Sequence, residues 1–295
     1  MPMFEMTIKS LAPWFGGKRM LAPAIIKELG KHEAYFEPFC GGLAVIMQKS
    51  PASIEVVNDL HGDIMNLARV VQHDILGPKL FEKLLRTGSV EDILHSAHND
   101  LEKEAVDEMW AKQGKDETMA FTLQRAYNYF IACWLGRNGE CGLGDSEHGK
   151  NIAMRWTKGG GDPATRFRSA ISSIPAWWER LRKVTILNRD GFDVLSRIKD
   201  ENGVAIYCDP PYLVKSDKYK HDFLMDDHER LAQCLRQFKR ARIVVSYYEH
   251  PKVRELYAGW RIEDHRRQKN LSQTQRGAEE GVAPELLIIN DKSVN

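Results

Sequence analysis

The sequence predicts an α/β fold, a mostly parallel sheet with helices on both faces and a mostly helical insertion. Three observations predict it. Short β-branched and aromatic runs alternate with amphipathic stretches, Gly, Asn and Asp punctuate the ends of the runs, and the alternation breaks off between residues 63 and 182. The chain of 295 residues is long enough for one large core or two modest ones. In order, helical spacing covers Met20 to Gly30, with Gly30 as the C-cap, and Tyr35-Phe36-Glu37 reads as the first strand. A Gly41-Gly42 turn leads to a helix over Leu43–Lys49, and Ile54–Val57 forms a second strand closed by Asn58-Asp59. Helices over Asp63–Val71, Leu80–Arg86 and Phe121–Leu135 follow, then a loop or hairpin over Gly136–Gly161 rich in Gly, Asn and charge. Strands at Val184–Leu187 and Val204–Cys208 come next, then a helix over Asp227–Phe238 with Asp226 as N-cap, and strands at Ile243–Tyr247 and Leu286–Asn290. An α/β domain of residues 1–62 and 183–295 thus surrounds an inserted domain of residues 63–182.

Composition narrows the class. With 43% hydrophobic and 28% charged residues the chain reads as an ordinary globular protein. No apolar run approaches bilayer length, and the start lacks the pattern of a secretory signal. The five cysteines, Cys40, Cys133, Cys141, Cys208 and Cys234, have no paired short spacing, which argues against disulfides or zinc and for a reducing cytoplasm. No metal is expected. A net charge of +1 does not announce a nucleic-acid binder, but bases cluster from Phe238 to Arg276, and Arg137, Lys150, Arg155, Lys158, Arg166 and Arg168 occupy the middle. These clusters are expected to contact phosphates.

Asp209-Pro210-Pro211-Tyr212 follows the Val204–Cys208 strand, at the strand end where open α/β sheets bind ligands. Two prolines fix φ twice and remove two donors, leaving the Asp209 carboxylate and the proline carbonyls as rigid acceptors. Such a site suits an amino group on a planar base, with Tyr212 as a stacking face. The glycines of Phe36–Gly42 allow close backbone approach to a ligand, but lack the dinucleotide and P-loop spacings. Asp59 stands at a strand end where a carboxylate can accept ribose hydroxyls or cap the following helix.

Asp209-Pro210-Pro211-Tyr212 resembles the catalytic motif of amino-group DNA methyltransferases. Pro13–Arg19, Phe36–Gly42, Val57-Asn58-Asp59 and Glu285–Ile289 resemble segments of one branch, the Dam-like adenine methyltransferases of the D12 class, alpha group. The resemblance spans essentially the whole chain and is sharp only in these stretches. It implies a Rossmann-like sheet that uses S-adenosylmethionine, with duplex DNA as partner and base flipping as the route to adenine. Catalysis would fall to Asp209, Pro210, Pro211 and Tyr212. Trp14, Lys18, Glu37, Phe39, Gly41, Asp59, Asp190, Phe192 and Asp209 would contact the cofactor, with Asp193 a rival to Asp190. The insert would read DNA, through Arg137 and Asn138 in a loop like the family's DNA-contact loop, and through Arg155 and Lys158. A bacterial or phage origin and a cognate restriction enzyme acting separately are implied too. Phe15 stands where similar enzymes often have alanine. Cysteine catalysis is disfavoured, because Cys40 lies in the cofactor turn and Cys208 within a strand. Methylation of a cytosine or RNA amine, and a DNA-binding module without catalysis, are the alternatives.

Overall fold

The structure is a computed structural model and describes residues 6–14, 16–103, 115–136, 151–152, 162–213, 223–265 and 285–292. Among these, seven strands form one sheet in the order β3-β2-β1-β4-β5-β7-β6. They are β1 (Ala34–Glu37), β2 (Ile54–Asn58), β3 (Thr185–Leu187), β4 (Val204–Cys208), β5 (Arg242–Tyr248), β6 (Arg261–His265) and β7 (Glu285–Ile289). The first five pair in parallel, whereas β7 runs antiparallel to both β5 and β6. The order reverses between β1 and β4, so their carboxyl ends open the crevice in which such sheets bind ligands. β4 and β7 are buried along their whole length, which accounts for their unbroken apolar runs.

The described helices are α1 (Ala22–Leu29), α2 (Gly62–Gln72), α3 (Leu76–Leu85), α4 (Glu91–Lys103), α5 (Lys115–Leu135), α6 (Pro163–Leu181), α7 (Gly191–Leu195), α8 (Met225–Arg236) and α9 (Pro251–Leu256). Helix α1 carries a proline in its first turn and stops at Gly30, whose φ of 64° a side chain would strain. One face of the sheet packs its Tyr35, Val57 and Tyr207 into a core shared with Leu67, Phe130 and Trp177 of the inserted helices. The other face packs against α7, α8 and α9 through Leu195, Leu231, Leu235 and Val253. The inserted helices also hold the N-terminal arm. Trp177 Nε1 donates to the Ile8 carbonyl at 2.7 Å and Trp134 Nε1 to the Leu11 carbonyl at 3.3 Å.

Several expectations are corrected. Residues 41–48 form a run of turns instead of a regular helix, because Leu43 sits at φ 60° and breaks the helical path at its start. Helix α8 is capped at Leu224, whose N–H donates to Asp227 at 2.9 Å, so Asp226 lies inside the helix. The polar edge strand β6 and the short α9 had no clear signal in the sequence. In the basic stretch, the described bases Arg242, Lys252, Arg254 and Arg261 pair with acids. Arg242 and Arg261 begin β5 and β6, at the sheet end away from Asp209, where Arg242 pairs with Glu28 at 3.3 Å and Arg261 with Asp291 at 2.9 Å. Lys252 pairs with Glu229 at 3.1 Å and Arg254 with Glu249 at 2.6 Å. Arg166 and Arg168 donate to backbone carbonyls at the C-terminal ends of α5 and α3, a common use of arginine at helix ends. Arg266, Arg267, Lys269, Arg276, Arg137, Lys150, Arg155 and Lys158 lie outside the described residues.

A second charge cluster sits at the start of β2. Glu55 accepts from Lys49 at 2.6 Å and from Arg180 at 2.6 and 2.8 Å, with all three side chains at most 10% exposed. Truncation of the shared carboxylate leaves two cations uncompensated in the interior. Glu55→Ala is expected to lose about 3 kcal/mol or more of stability, read as a lower urea midpoint.

Candidate active site

The site grows from the carboxyl ends of three neighbouring strands. Side chains alternate along a strand, so Tyr207 of β4 and Asp209 just beyond it share a face, as do Tyr35 and Glu37 of β1. Register places Cys208 beside Val245, which brings Asp209 next to Ser246 of β5. Because β7 is antiparallel, its first residue, Glu285, pairs with Tyr248 and arrives at the same edge as the ends of the parallel strands.

Asp209 is held from several sides. Ser246 Oγ donates to Oδ1 at 2.8 Å, so the single remaining role of that hydroxyl is to accept from Tyr207, 2.8 Å away. Tyr212 Oη lies 3.1 Å from the same Asp209 oxygen and 3.0 Å from Glu285 Oε1. Lys18 Nζ lies 2.8 Å from Asp209 Oδ2, 3.1 Å from Glu285 and 2.5 Å from the Gly16 carbonyl. Those three acceptors match the three protons of the ammonium. Burial alone would depress the lysine, but Asp209 and Glu285 hold it above its ordinary value. Burial pushes the Asp209 carboxyl up, against the pull of Lys18. Pro210 is buried and Pro211 half-buried. The Tyr212 ring is only 6% exposed, with Tyr248 4.3 Å away and the Lys18 ammonium 5.0 Å from its centre. It is therefore not the open stacking face that the sequence suggested.

A cavity of about 310 Å³ adjoins this cluster and brings together Trp14, Lys18, Glu37, Gly41 and Asp209 of the expected residues. Gly41 has φ +44°, and a Cβ there would lie 2.6 Å from the Trp14 indole nitrogen. Only glycine fits. Its N–H donates to Asp59 Oδ2 at 2.8 Å, while Asp59 Oδ1 accepts from His61 N–H at 2.9 Å, so Asp59 stands directly behind the turn. Burial pushes the Asp59 carboxyl up. Glu37, 2% exposed, accepts from Tyr35 Oη at 2.8 Å, and burial pushes its carboxyl up to about 8.

Phe39, Asp190 and Phe192 form a separate aromatic group. Phe192 stacks on Phe223 at 6.0 Å, Phe39 meets Phe223 edge-on at 6.0 Å, and the Arg230 guanidinium lies 4.0 Å from the centre of the Phe192 ring. Asp190 caps α7 by accepting from Phe192 N–H at 2.8 Å. Its rival Asp193 is exposed and paired with Arg189 and Arg197 at 3.1 and 2.9 Å, which leaves Asp190 as the acid beside the aromatic group. Burial raises the Cys40 and Cys208 thiols, so neither is set up as a thiolate nucleophile.

The sequence reading gave no role in this site to Glu285, Ser246, Trp134, Arg166 or Asn58. Trp134 and Arg166 reach the cavity from inserted helices. Asn58, fully buried, donates to the carbonyls of Pro38 and Arg189 at 2.9 Å and accepts from Arg189 N–H at 3.0 Å, stapling the loops after β1 and β3. The signal for Glu285 was its place at the head of the Glu285–Ile289 segment that resembles the family. Arg137, Asn138, Arg155 and Lys158 lie outside the described residues.

A seven-stranded sheet of this order, with acids gathered at the carboxyl ends of β1 and β4, is consistent with the fold of the S-adenosylmethionine-dependent methyltransferases. The chain belongs to the D12 class N6 adenine-specific DNA methyltransferases, whose family model matches residues 14–271. It is similar to the Type II methyltransferase M1.LlaDCHI of Lactococcus lactis subsp. cremoris, with 24% identity over 299 residues covering 97% of this chain and 96% of that protein.

The buried acid of β1 has a thermodynamic consequence. Glu37 ionises near 4.5 when unfolded but at about 8 in the fold, so its contribution to stability is full below 4.5 and drains away as pH rises to about 8. Glu37→Gln is therefore expected to raise the melting temperature of the ligand-free protein at pH 8 by about 2 °C or more. At pH 4 the two proteins should melt together.

Proposed function

We propose that this protein transfers the methyl group of S-adenosylmethionine to the exocyclic amine of adenine in duplex DNA, with the base turned out of the stack. The observation that carries the reading is the Asp209 carboxylate, fixed by Lys18, Tyr212 and Ser246 at the end of β4 and followed by the Pro210 carbonyl. The amine's lone pair is delocalised into the ring, so it attacks poorly. Hydrogen bonds from its two protons to Asp209 and the Pro210 carbonyl favour a pyramidal nitrogen whose lone pair points at the donor. This is orientation and preorganised electrostatics, with no covalent intermediate on the enzyme.

The residues present fit the cofactor. Gly41 lets the Trp14 indole pack against the turn at the cavity, Asp59 keeps lone pairs for ribose hydroxyls behind that turn, and Glu37 and Asp209 place acids where a cation is favoured. Trp14 and Lys18 would line the methionine end, and Phe39, Asp190 and Phe192 the adenine end. When bound, the cofactor supplies an electrophilic methyl on a sulfonium. Tyr248 would have to yield before a base stacks on Tyr212.

We assign residues 63–182 to target recognition, with Arg137, Asn138, Arg155 and Lys158 on the DNA, and residues 1–62 and 183–295 to catalysis. The name of the Lactococcus relative places that protein among Type II methyltransferases. By analogy, this chain would protect cytoplasmic DNA against a restriction enzyme acting separately.

Labelled methyl transfer from S-adenosylmethionine to unmethylated plasmid tests the reading. Asp209→Ala is expected to lose at least about 1,000-fold in kcat, while cofactor binding, read by calorimetry, weakens far less than turnover. Near-normal turnover by this variant would sink the assignment.

A further inference from the structure

Among the described residues, two acids, Asp209 and Glu285, share the ammonium of Lys18. Lys18 carries one positive charge, while Asp209 and Glu285 can carry two negative ones, and both acids compete for the same donors. The Tyr212 hydroxyl has a single proton and two acceptors within reach, Asp209 at 3.1 Å and Glu285 at 3.0 Å. Glu285 is 5% exposed and belongs to a strand buried at every position, so its carboxylate is fixed where the sheet puts it. An incoming amine needs Asp209 as an acceptor, and every donor that Glu285 takes is a donor that Asp209 does not have to keep.

We infer that Glu285 is a positioning residue for methyl transfer. It draws the Lys18 ammonium and the Tyr212 hydroxyl toward itself when the target amine arrives, and so leaves Asp209 free to accept from the amine. This inference rests on the proposed reaction and deepens it. Without the second carboxylate, Asp209 would take a larger share of Lys18 and Tyr212, be more nearly neutralised and offer less to the substrate. Lys18 and Tyr212 thus act as a pair of donors shared between a working acid and a reserve acid.

The inference has a signature that loss of packing would not give. Among the described residues, Glu37, Asp59 and Glu285 are the acids that face Asp209 electrostatically, Lys18 is the base, and Tyr207, Tyr212 and Ser246 are the hydroxyls around it. Removal of the Glu285 charge takes away a repulsion and gives Asp209 a larger share of Lys18, so Asp209 should ionise at lower pH.

The test compares wild type, Glu285→Gln and Glu285→Asp in the full-length protein by methyl transfer to plasmid across pH, with calorimetric binding of S-adenosylmethionine. Glu285→Gln is expected to lose about tenfold or more in kcat, and the acid limb of its kcat profile should move to lower pH. Its cofactor affinity is expected to stay within about threefold. Glu285→Asp should recover part of the rate and return the limb toward the wild-type position. A Glu285→Gln protein with wild-type kcat and an unmoved acid limb overturns the inference, as does an equal loss in both variants with no movement of the limb. Where Glu285→Gln lacks a native melting transition, Glu285→Asp decides alone: a wild-type rate with an unmoved limb overturns the inference, and a reduced rate with a displaced limb supports it. Absence of transfer by wild type would instead remove the proposed reaction itself.

Discussion

The buried Lys18 ammonium is the contact on which the site depends. A charge in the interior persists only where partners repay its lost hydration. Here they come from distant parts of the chain: Gly16 in the N-terminal arm, Asp209 at the end of β4 and Glu285 at the start of β7. The arm carrying the lysine is in turn held by Trp177 and Trp134 of the inserted helices. A path of direct contacts therefore runs from the insert through the arm to Asp209. Packing against the insert and the chemistry at the strand ends are linked through that one side chain.

The same edge of the sheet gathers acids at a cost. Glu37, Asp59 and Asp209 all have carboxyls raised by burial, which is the opposite of what maximal stability would select. Proteins tolerate such groups where a ligand makes use of them. A cationic ligand relieves the repulsion, and hydroxyls or amines use the acceptors. The family assignment supplies a ligand of that kind, and the geometry gives each acid a distinct neighbour: Tyr35 for Glu37, the Gly41 turn for Asp59, and the Lys18 cluster for Asp209.

Much of this was legible in the sequence, because parallel strands covered on both faces read as apolar runs and their ends carry the polar motifs. Tyr35–Glu37, Ile54–Asp59 and Val204–Tyr212 were found for that reason. What failed did so for local or non-local causes. The stretch after Gly42 has helical composition, but Leu43 in the left-handed region breaks it into turns. The strand β6 is polar along an edge and shows no apolar period. The bases of Arg242 and Arg261 looked free in sequence, yet Glu28 pairs with the first from 214 residues away and Asp291 with the second from 30. Ser246 and Glu285 could not be assigned to the site without the sheet order, since only the antiparallel insertion of β7 beside β5 brings its first residue to Asp209. Asn58 read as a turn residue and proved to be the staple between two loops.

The central claim is that the acceptors at Asp209 and Pro210 act on the amine of adenine. The most direct measurement is nucleoside mass spectrometry of plasmid DNA recovered from cells expressing the protein, in a host lacking its own DNA methyltransferases. The account expects N6-methyladenine above the empty-vector control. N4-methylcytosine in its place, or no modified base despite folded protein, would contradict it.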